Sequence, residues 1–292
     1  MNGGPAHAWS DWPAPAKLNL FLHVTGRRAD GYHLLQTVFQ LLEWGDCVRL
    51  RPRDDGVISR RQPLADVAEA DDLAVRAAHA LREASGTRMG ADIAVDKHIP
   101  LGGGLGGGSS DAATTLVALN ELWGTGLDVD ALASLGLRLG ADVPVFVRGR
   151  SAWAEGVGEL LTPLELPERW YVVIDPGARV PTAEVFSSPD LTRDCRPLTI
   201  PLFVSGAATS NVFESVVRAR HPAVAKALDW LGERAHARLS GSGGCILAPV
   251  GSHEAGLDIV RACPAEWRGF VVRGVACSPL LARVQEWRAA RA

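Results

Sequence analysis

Residues 18–24 alternate in polarity: Leu18, Leu20, Leu22 and Val24 share one face of an extended chain, and Lys17, Asn19, Phe21 and His23 share the other. That period of two predicts a β-strand. The polar run Gly26-Arg27-Arg28-Ala29-Asp30-Gly31 follows, and its Asp-Gly pair favours a hairpin-like reversal. Apolar runs at 34–42 and 47–50 continue a mostly antiparallel sheet. Over 72–84 the spacing changes, with Leu73, Ala77, Ala80 and Leu81 at helical intervals. A short strand at 93–95 precedes a helix at 110–119, with Ser110 as its capping residue and Asp111 in its first turn. A further helix spans 131–139, and Val143-Pro144-Val145-Phe146-Val147 reads as a strand. A proline-bearing stretch at 162–167 marks a boundary between an N-terminal domain, 1–165, and a C-terminal domain, 166–292. In the second part, 170–174, 240–250 and 270–276 read as strands, with helices at 211–220, 223–234 and 254–262 and a terminal helix at 281–292. That alternation suits an α+β sandwich of ferredoxin-like type. The first ten residues read as loose.

A chain of 292 residues, 47% hydrophobic and 22% charged, can bury a sizeable core, so it falls in the ordinary globular class. A net charge of -3 gives no basic footprint, which argues against nucleic acid as a partner. No apolar run reaches membrane-spanning length, and Met1-Asn2-Gly3-Gly4-Pro5 lacks the features of a signal peptide. The five cysteines are scattered, with no Cys-x-x-Cys spacing, as expected of reduced thiols in a cytoplasmic protein.

The chemistry concentrates in Lys97-His98-Ile99-Pro100-Leu101-Gly102-Gly103-Gly104-Leu105-Gly106-Gly107-Gly108-Ser109-Ser110-Asp111. Six glycines in seven positions let the backbone approach a ligand with no Cβ in the way. Loop amides and the positive end of the following helix make a site for phosphate. A Walker loop would end in Gly-Lys-Ser/Thr, whereas Gly108 runs directly into Ser109. The Gly-x-Gly-x-x-Gly match through Gly102, Gly104 and Gly107 is accidental, because no acid-ended second strand follows about 20 residues on.

Five fragments stand in order: Pro13-Ala14-Pro15-Ala16-Lys17-Leu18-Asn19-Leu20, Asp30-Gly31-Tyr32-His33, the glycine loop, Gly140-Ala141-Asp142-Val143-Pro144, and Leu239-Ser240-Gly241-Ser242-Gly243-Gly244-Cys245. Together they resemble the GHMP small-molecule kinases, from Trp12 to about Ala276. The first, second and fourth fragments point to the member that acts on a cytidine diphosphate alcohol. The resemblance implies a two-domain α+β GHMP kinase fold, with a ribosomal-protein-S5-like N-terminal domain, a ferredoxin-like C-terminal domain and the active site between them. It also implies ATP as phosphoryl donor, Mg2+, a small-molecule acceptor hydroxyl, and a monomer or weak homodimer. A different acceptor, as in homoserine or mevalonate kinases, is the alternative within the class. A nucleotide sensor without chemistry would need neither Lys17 nor Asp142.

On that resemblance Asp142 is the base that takes the hydroxyl proton, and Lys17 the cation that keeps this carboxylate ionised and stabilises negative charge. Asn19 orients the acceptor. Gly102, Gly103, Gly104, Leu105, Gly106, Gly107, Gly108 and Ser109 hold the β- and γ-phosphates, Ser110 neighbours the magnesium ion, and Lys97 meets phosphate charge. Tyr32 and Phe186 stack on the cytosine, His33 contacts its edge, Thr182 contacts a hydroxyl or phosphate, and Gly241 and Ser242 close the cleft. Two positions depart from the family pattern: Asp72 stands where asparagine is usual, and Val212 where aspartate is usual. Asp72 either faces the adenine or only caps the helix that follows it.

Overall fold

The computed structural model describes residues 8–64 and 67–291, so the expectation for the first seven residues and for Ala292 lies outside the described residues. β1 (Ser10–Arg27) and β2 (His33–Arg53) form one long antiparallel hairpin. At its tip Gly31 takes φ +90° and donates its N–H to the Arg28 carbonyl, the reversal that the Asp-Gly pair predicts. β2 absorbs both apolar runs read as separate strands. Gly45 is the reason: a Cβ there would sit 2.1 Å from the Ala14 carbonyl oxygen, so this glycine serves a close approach of two backbones and not a turn.

The alternation read in β1 does not persist, because its register against β2 shifts between Pro15 and Lys17 and again between Asn19 and Leu22. Lys17 and Asn19 lie between these irregularities and share a face, while Phe21 is buried against Val38 and Trp153.

The remaining elements run β3 (Ile58–Arg60), α1 (Leu73–Ser85), β4 (Gly90–Asp96), α2 (Gly107–Trp123), α3 (Val129–Leu139), α4 (Val143–Arg148), β5 (Ala152–Glu155) and β6 (Leu160–Pro163). The second half continues with β7 (Trp170–Asp175), α5 (Thr182–Ser187), α6 (Ile200–Val204), α7 (Phe213–Arg220), α8 (Pro222–Gly232), β8 (Arg238–Leu239), β9 (Ile246–Val250), α9 (His253–Arg261), β10 (Arg268–Val275) and α10 (Pro279–Ala289). The strand predicted at 143–147 is therefore helix α4. Its apolar run is buried all round and carries no period, and Pro144 sits in the first turn, where a missing N–H is harmless.

The strand order β3-β4-β2-β10-β7-β9-β8 carries one sheet through both halves, with β1 beside β2 and β5 between β2 and β6. The halves join where Gly274 and Val275 of β10 pair with Leu42 and Leu41 of β2. One core packs helices α1 to α4 on the N-terminal strands, and a second lies under α7 and α8. Between them a third cluster, including Leu18, Leu42, Ile99, Leu105, Val173 and Leu247, supports the glycine loop from below. Burial of each such side chain contributes about 1.5–3 kcal/mol to holding the loop's floor together. The 166–292 division assigns the terminal helix to the second half, yet α10 crosses back: Leu280 and Val284 join the N-terminal core, and Trp287 packs on Trp12 with ring centroids 5.2 Å apart.

Candidate active site

A cleft of about 960 Å³ lies between the halves and is walled by the glycine loop, β1, the hairpin tip, the start of α4, α5 and the 241–242 turn. The loop enters α2 earlier than the sequence suggests. The helix begins at Gly107 with Gly106 as N-cap, at φ +76° and with no side-chain cap, so Ser110 is inside the first turn and does not cap it. The leading N–H groups of a helix have no intrahelical acceptor, and here no side chain takes their place. Together with the helix dipole they favour an anion at 106–109.

The loop is locked against the other half. Gly104 takes φ +77°, and a Cβ on it would lie 2.1 Å from the Ser240 carbonyl oxygen. Gly244 N–H donates to Gly102 O at 3.3 Å and Cys245 N–H to Gly103 O at 3.1 Å. These bonds explain why the strand expected over 240–250 is shortened to β9: residues 240–245 form a turn whose backbone serves the glycine loop, with Gly241 at φ +56°.

Lys97 is neither an exposed surface lysine nor an uncommitted cation. Its Nζ bonds Asp111 Oδ2 at 2.7 Å and pairs with Asp46 Oδ2, while Asp46 Oδ1 accepts from the N–H groups of His98 and Ile99. This ties the loop entrance to β2 and to the first turn of α2. Burial pushes the Asp111 carboxyl up to about 7, with Asp46 adding to the rise and Lys97 opposing it. Burial acts against the charge on Lys97, but the Asp111 and Asp46 carboxylates outweigh it and raise its proton affinity.

Lys17 and Asp142 meet at the centre of the cleft, Nζ to Oδ2 3.3 Å apart. The Lys17 side chain is 4% exposed and the Asp142 side chain 33%, so the lysine is fixed and the carboxylate faces the space where a ligand can reach it. Lys17 also donates to Asn19 Oδ1 at 2.6 Å and to Gly104 O at 2.9 Å, linking the strand to the glycine loop. Asn19 Nδ2 donates to Thr37 Oγ1 at 2.9 Å, which fixes the amide orientation. Asp142 precedes α4 without spending its carboxylate on a cap hydrogen bond.

At the far end of the cleft Tyr32 is 65% exposed on the hairpin tip. Phe186 of α5 lies opposite, half-buried, edge-on to Phe213 at 4.9 Å and stacked with His33 at 5.0 Å and 26° between planes. Thr182 Oγ1 and Ser242 Oγ are 2.7 Å apart, joining the start of α5 to the 241–242 turn.

Two expected residues stand apart from the cleft wall. Asp72 caps α1 through Ala74 N–H and pairs with Arg60 at 3.1 Å, so both its oxygens are engaged. Ser110 is fully buried behind Ser109, its Oγ without a hydrogen-bond partner. Sequence reading missed Asp46, Arg193 and Asn211. Asn211 donates to Leu239 O and Gly241 O and accepts from Phe213 N–H, holding the turn at 241 and starting α7. Only the acids flanking a buried lysine carried any signal, and their pairing joins positions 51 and 14 apart in sequence.

Family models agree with this geometry: that of the GHMP kinases N terminal domain matches residues 72–150, and that of the GHMP kinases C terminal matches 198–269. A 4-diphosphocytidyl-2-C-methyl-D-erythritol kinase of Halorhodospira halophila is 59% identical over 275 residues, covering 93% of this chain and 95% of that protein. One from Xanthomonas campestris pv. campestris is 58% identical, covering 94% and 93%. A crystal structure of 4-(cytidine 5'-diphospho)-2C-methyl-D-erythritol kinase superposes with TM-score 0.79 at 34% identity over 91% of this chain and 100% of that one. Methanococcus jannaschii mevalonate kinase, TM-score 0.60 at 16% identity over 94% and 100%, shares the fold. The chain thus belongs to the GHMP kinases and, within them, to the family of 4-diphosphocytidyl-2-C-methyl-D-erythritol kinases. It is a small-molecule kinase with ATP as co-substrate.

Proposed function

We propose that this enzyme transfers the γ-phosphoryl group of ATP to the 2-hydroxyl of 4-diphosphocytidyl-2-C-methyl-D-erythritol. The observation that carries the reading is the Lys17–Asp142 pair, set between an uncapped helix start on one side and an aromatic pocket on the other. Asp142 accepts the proton of the acceptor hydroxyl as its oxygen bonds to the γ-phosphorus, and ADP leaves with the electron pair of the broken P–O bond. Lys17 keeps that carboxylate ionised and lies close enough to oppose charge developing on the attacking oxygen. The amides of 106–109 carry the β- and γ-phosphates with no reorganisation at the moment of transfer. Tyr32 and Phe186 hold the cytosine, with His33 at its edge and Thr182 and Ser242 toward the diphosphate.

A magnesium ion would be held by the nucleotide phosphates in the cleft; Ser110 Oγ, fully buried and off the cleft wall, does not fit the contact expected of it. When bound, the ion neutralises phosphate charge. ADP release tests the reading: it should depend on the cytidine diphosphate alcohol and stay at background with homoserine, mevalonate or galactose. Turnover of one of those three in its place would overturn it.

A further inference from the structure

We propose that Arg193 sets the enzyme's preference for cytosine by holding His33 in the tautomer whose proton is on Nδ1. This rests on the cytidine reading of the pocket and adds to it a residue outside the five sequence fragments. Arg193 Nε–H donates to His33 Nε2 at 3.1 Å. An arginine has no acceptor, so the ring nitrogen facing it must be the bare one. A neutral imidazole carries one N–H, which leaves Nδ1–H as the ring's one donor toward the cleft that His33 lines.

Its surroundings disfavour a charged ring. Burial lowers its proton affinity, and the guanidiniums of Arg193 and Arg27 lower it further. Arg193 itself is well anchored: Nη1 donates to Leu191 O at 3.0 Å, and Nη2 to Phe186 O at 2.9 Å and Ser188 O at 2.7 Å. One guanidinium thus fixes the backbone behind Phe186 and the protonation pattern of the ring stacked upon it.

The consequence is base selection. O2 accepts in both bases, but N3 carries a lone pair in cytosine and a proton in uracil. Set against N3, a fixed Nδ1–H suits cytosine and opposes uracil. Sites built to hydrogen-bond one partner reject an analogue that leaves their polar group unpaired.

The test combines nitrogen NMR of the imidazoles with acceptor kinetics. The His33 signals are assigned by their loss in His33→Gln. In the wild-type enzyme His33 should show a protonated Nδ1 and a bare Nε2. The enzyme should favour the cytidine acceptor over its uridine counterpart, and Arg193→Met should reduce that ratio about tenfold. The reduction should fall in the acceptor KM, with kcat and the KM for ATP unchanged. A wild-type His33 protonated on Nε2 overturns the proposal without recourse to any variant. So does a folded Arg193→Met enzyme with an undiminished cytidine preference. Equal use of both acceptors by the wild type would instead overturn the cytidine reading beneath it.

Discussion

Replacing Asp142 with asparagine removes one charge and keeps the side chain's shape. Lys17 would then stay buried at 4% exposure with only two neutral acceptors, Asn19 Oδ1 at 2.6 Å and Gly104 O at 2.9 Å. Those bonds persist, and Asp142 is one-third exposed, so the loss of stability should be modest, about 1 kcal/mol. Chemistry should suffer far more. A positioned base contributes about a hundredfold to ten-thousandfold, and an amide cannot accept the proton. We therefore predict a fall in kcat of at least about a hundredfold, equivalent to roughly 3 kcal/mol of barrier. The KM for ATP should change little, because on the proposed reading the nucleotide phosphates rest on the glycine-loop amides and not on Asp142. A coupled assay for ADP at saturating ATP and acceptor measures the first quantity, an ATP titration the second, and a thermal melt controls for folding. A folded variant with kcat within a few-fold of wild type would refute the assignment of Asp142 as base.

Tyr32→Ala should raise the acceptor KM about tenfold or more through loss of one stacking face, with the KM for ATP unchanged; a collapse of ATP affinity with intact acceptor affinity would misplace the pocket. Gly104→Ala forces a Cβ to within 2.1 Å of the Ser240 carbonyl at φ +77°, so steady-state assays should show ATP affinity lost, whereas normal ATP binding would contradict the packed loop. Lys97→Met leaves Asp46 and Asp111 buried without their cation and should destabilise the protein by about 3–5 kcal/mol in urea unfolding; an unchanged midpoint would count against that anchor. Asp72→Asn keeps the cap but leaves Arg60 buried without its carboxylate, so a loss of about 3 kcal/mol is expected with no change in ATP over GTP preference; a shifted nucleotide ratio would place residue 72 against the base.

The glycine loop, the Lys17–Asn19 strand and the Asp-Gly hairpin tip were legible because each is a local pattern: glycines without Cβ, a short polar alternation, a pair suited to positive φ. Helices with clear 3.6-residue spacing were legible too, α1 among them. What failed depends on distant partners. The run 143–147 is apolar at every position, so its period is silent and only its packing makes it helix α4. Gly45 resembles a strand breaker until Ala14 is seen against it. The turn at 240–245 is held by Gly102 and Gly103 from the other half of the chain. Arg193 reaches His33 across 160 residues and belongs to no fragment that marks the family. Lys97 does line the cleft, as its position suggests, but its two carboxylate partners appear only in three dimensions.

Phosphorus NMR of the purified product tests the central claim most directly. With ATP and 4-diphosphocytidyl-2-C-methyl-D-erythritol, the account predicts one new phosphomonoester on the 2-hydroxyl, an intact cytidine diphosphate link, and ADP in equal amount. A phosphate on any other hydroxyl, or ATP consumed with the acceptor unmodified, would contradict it.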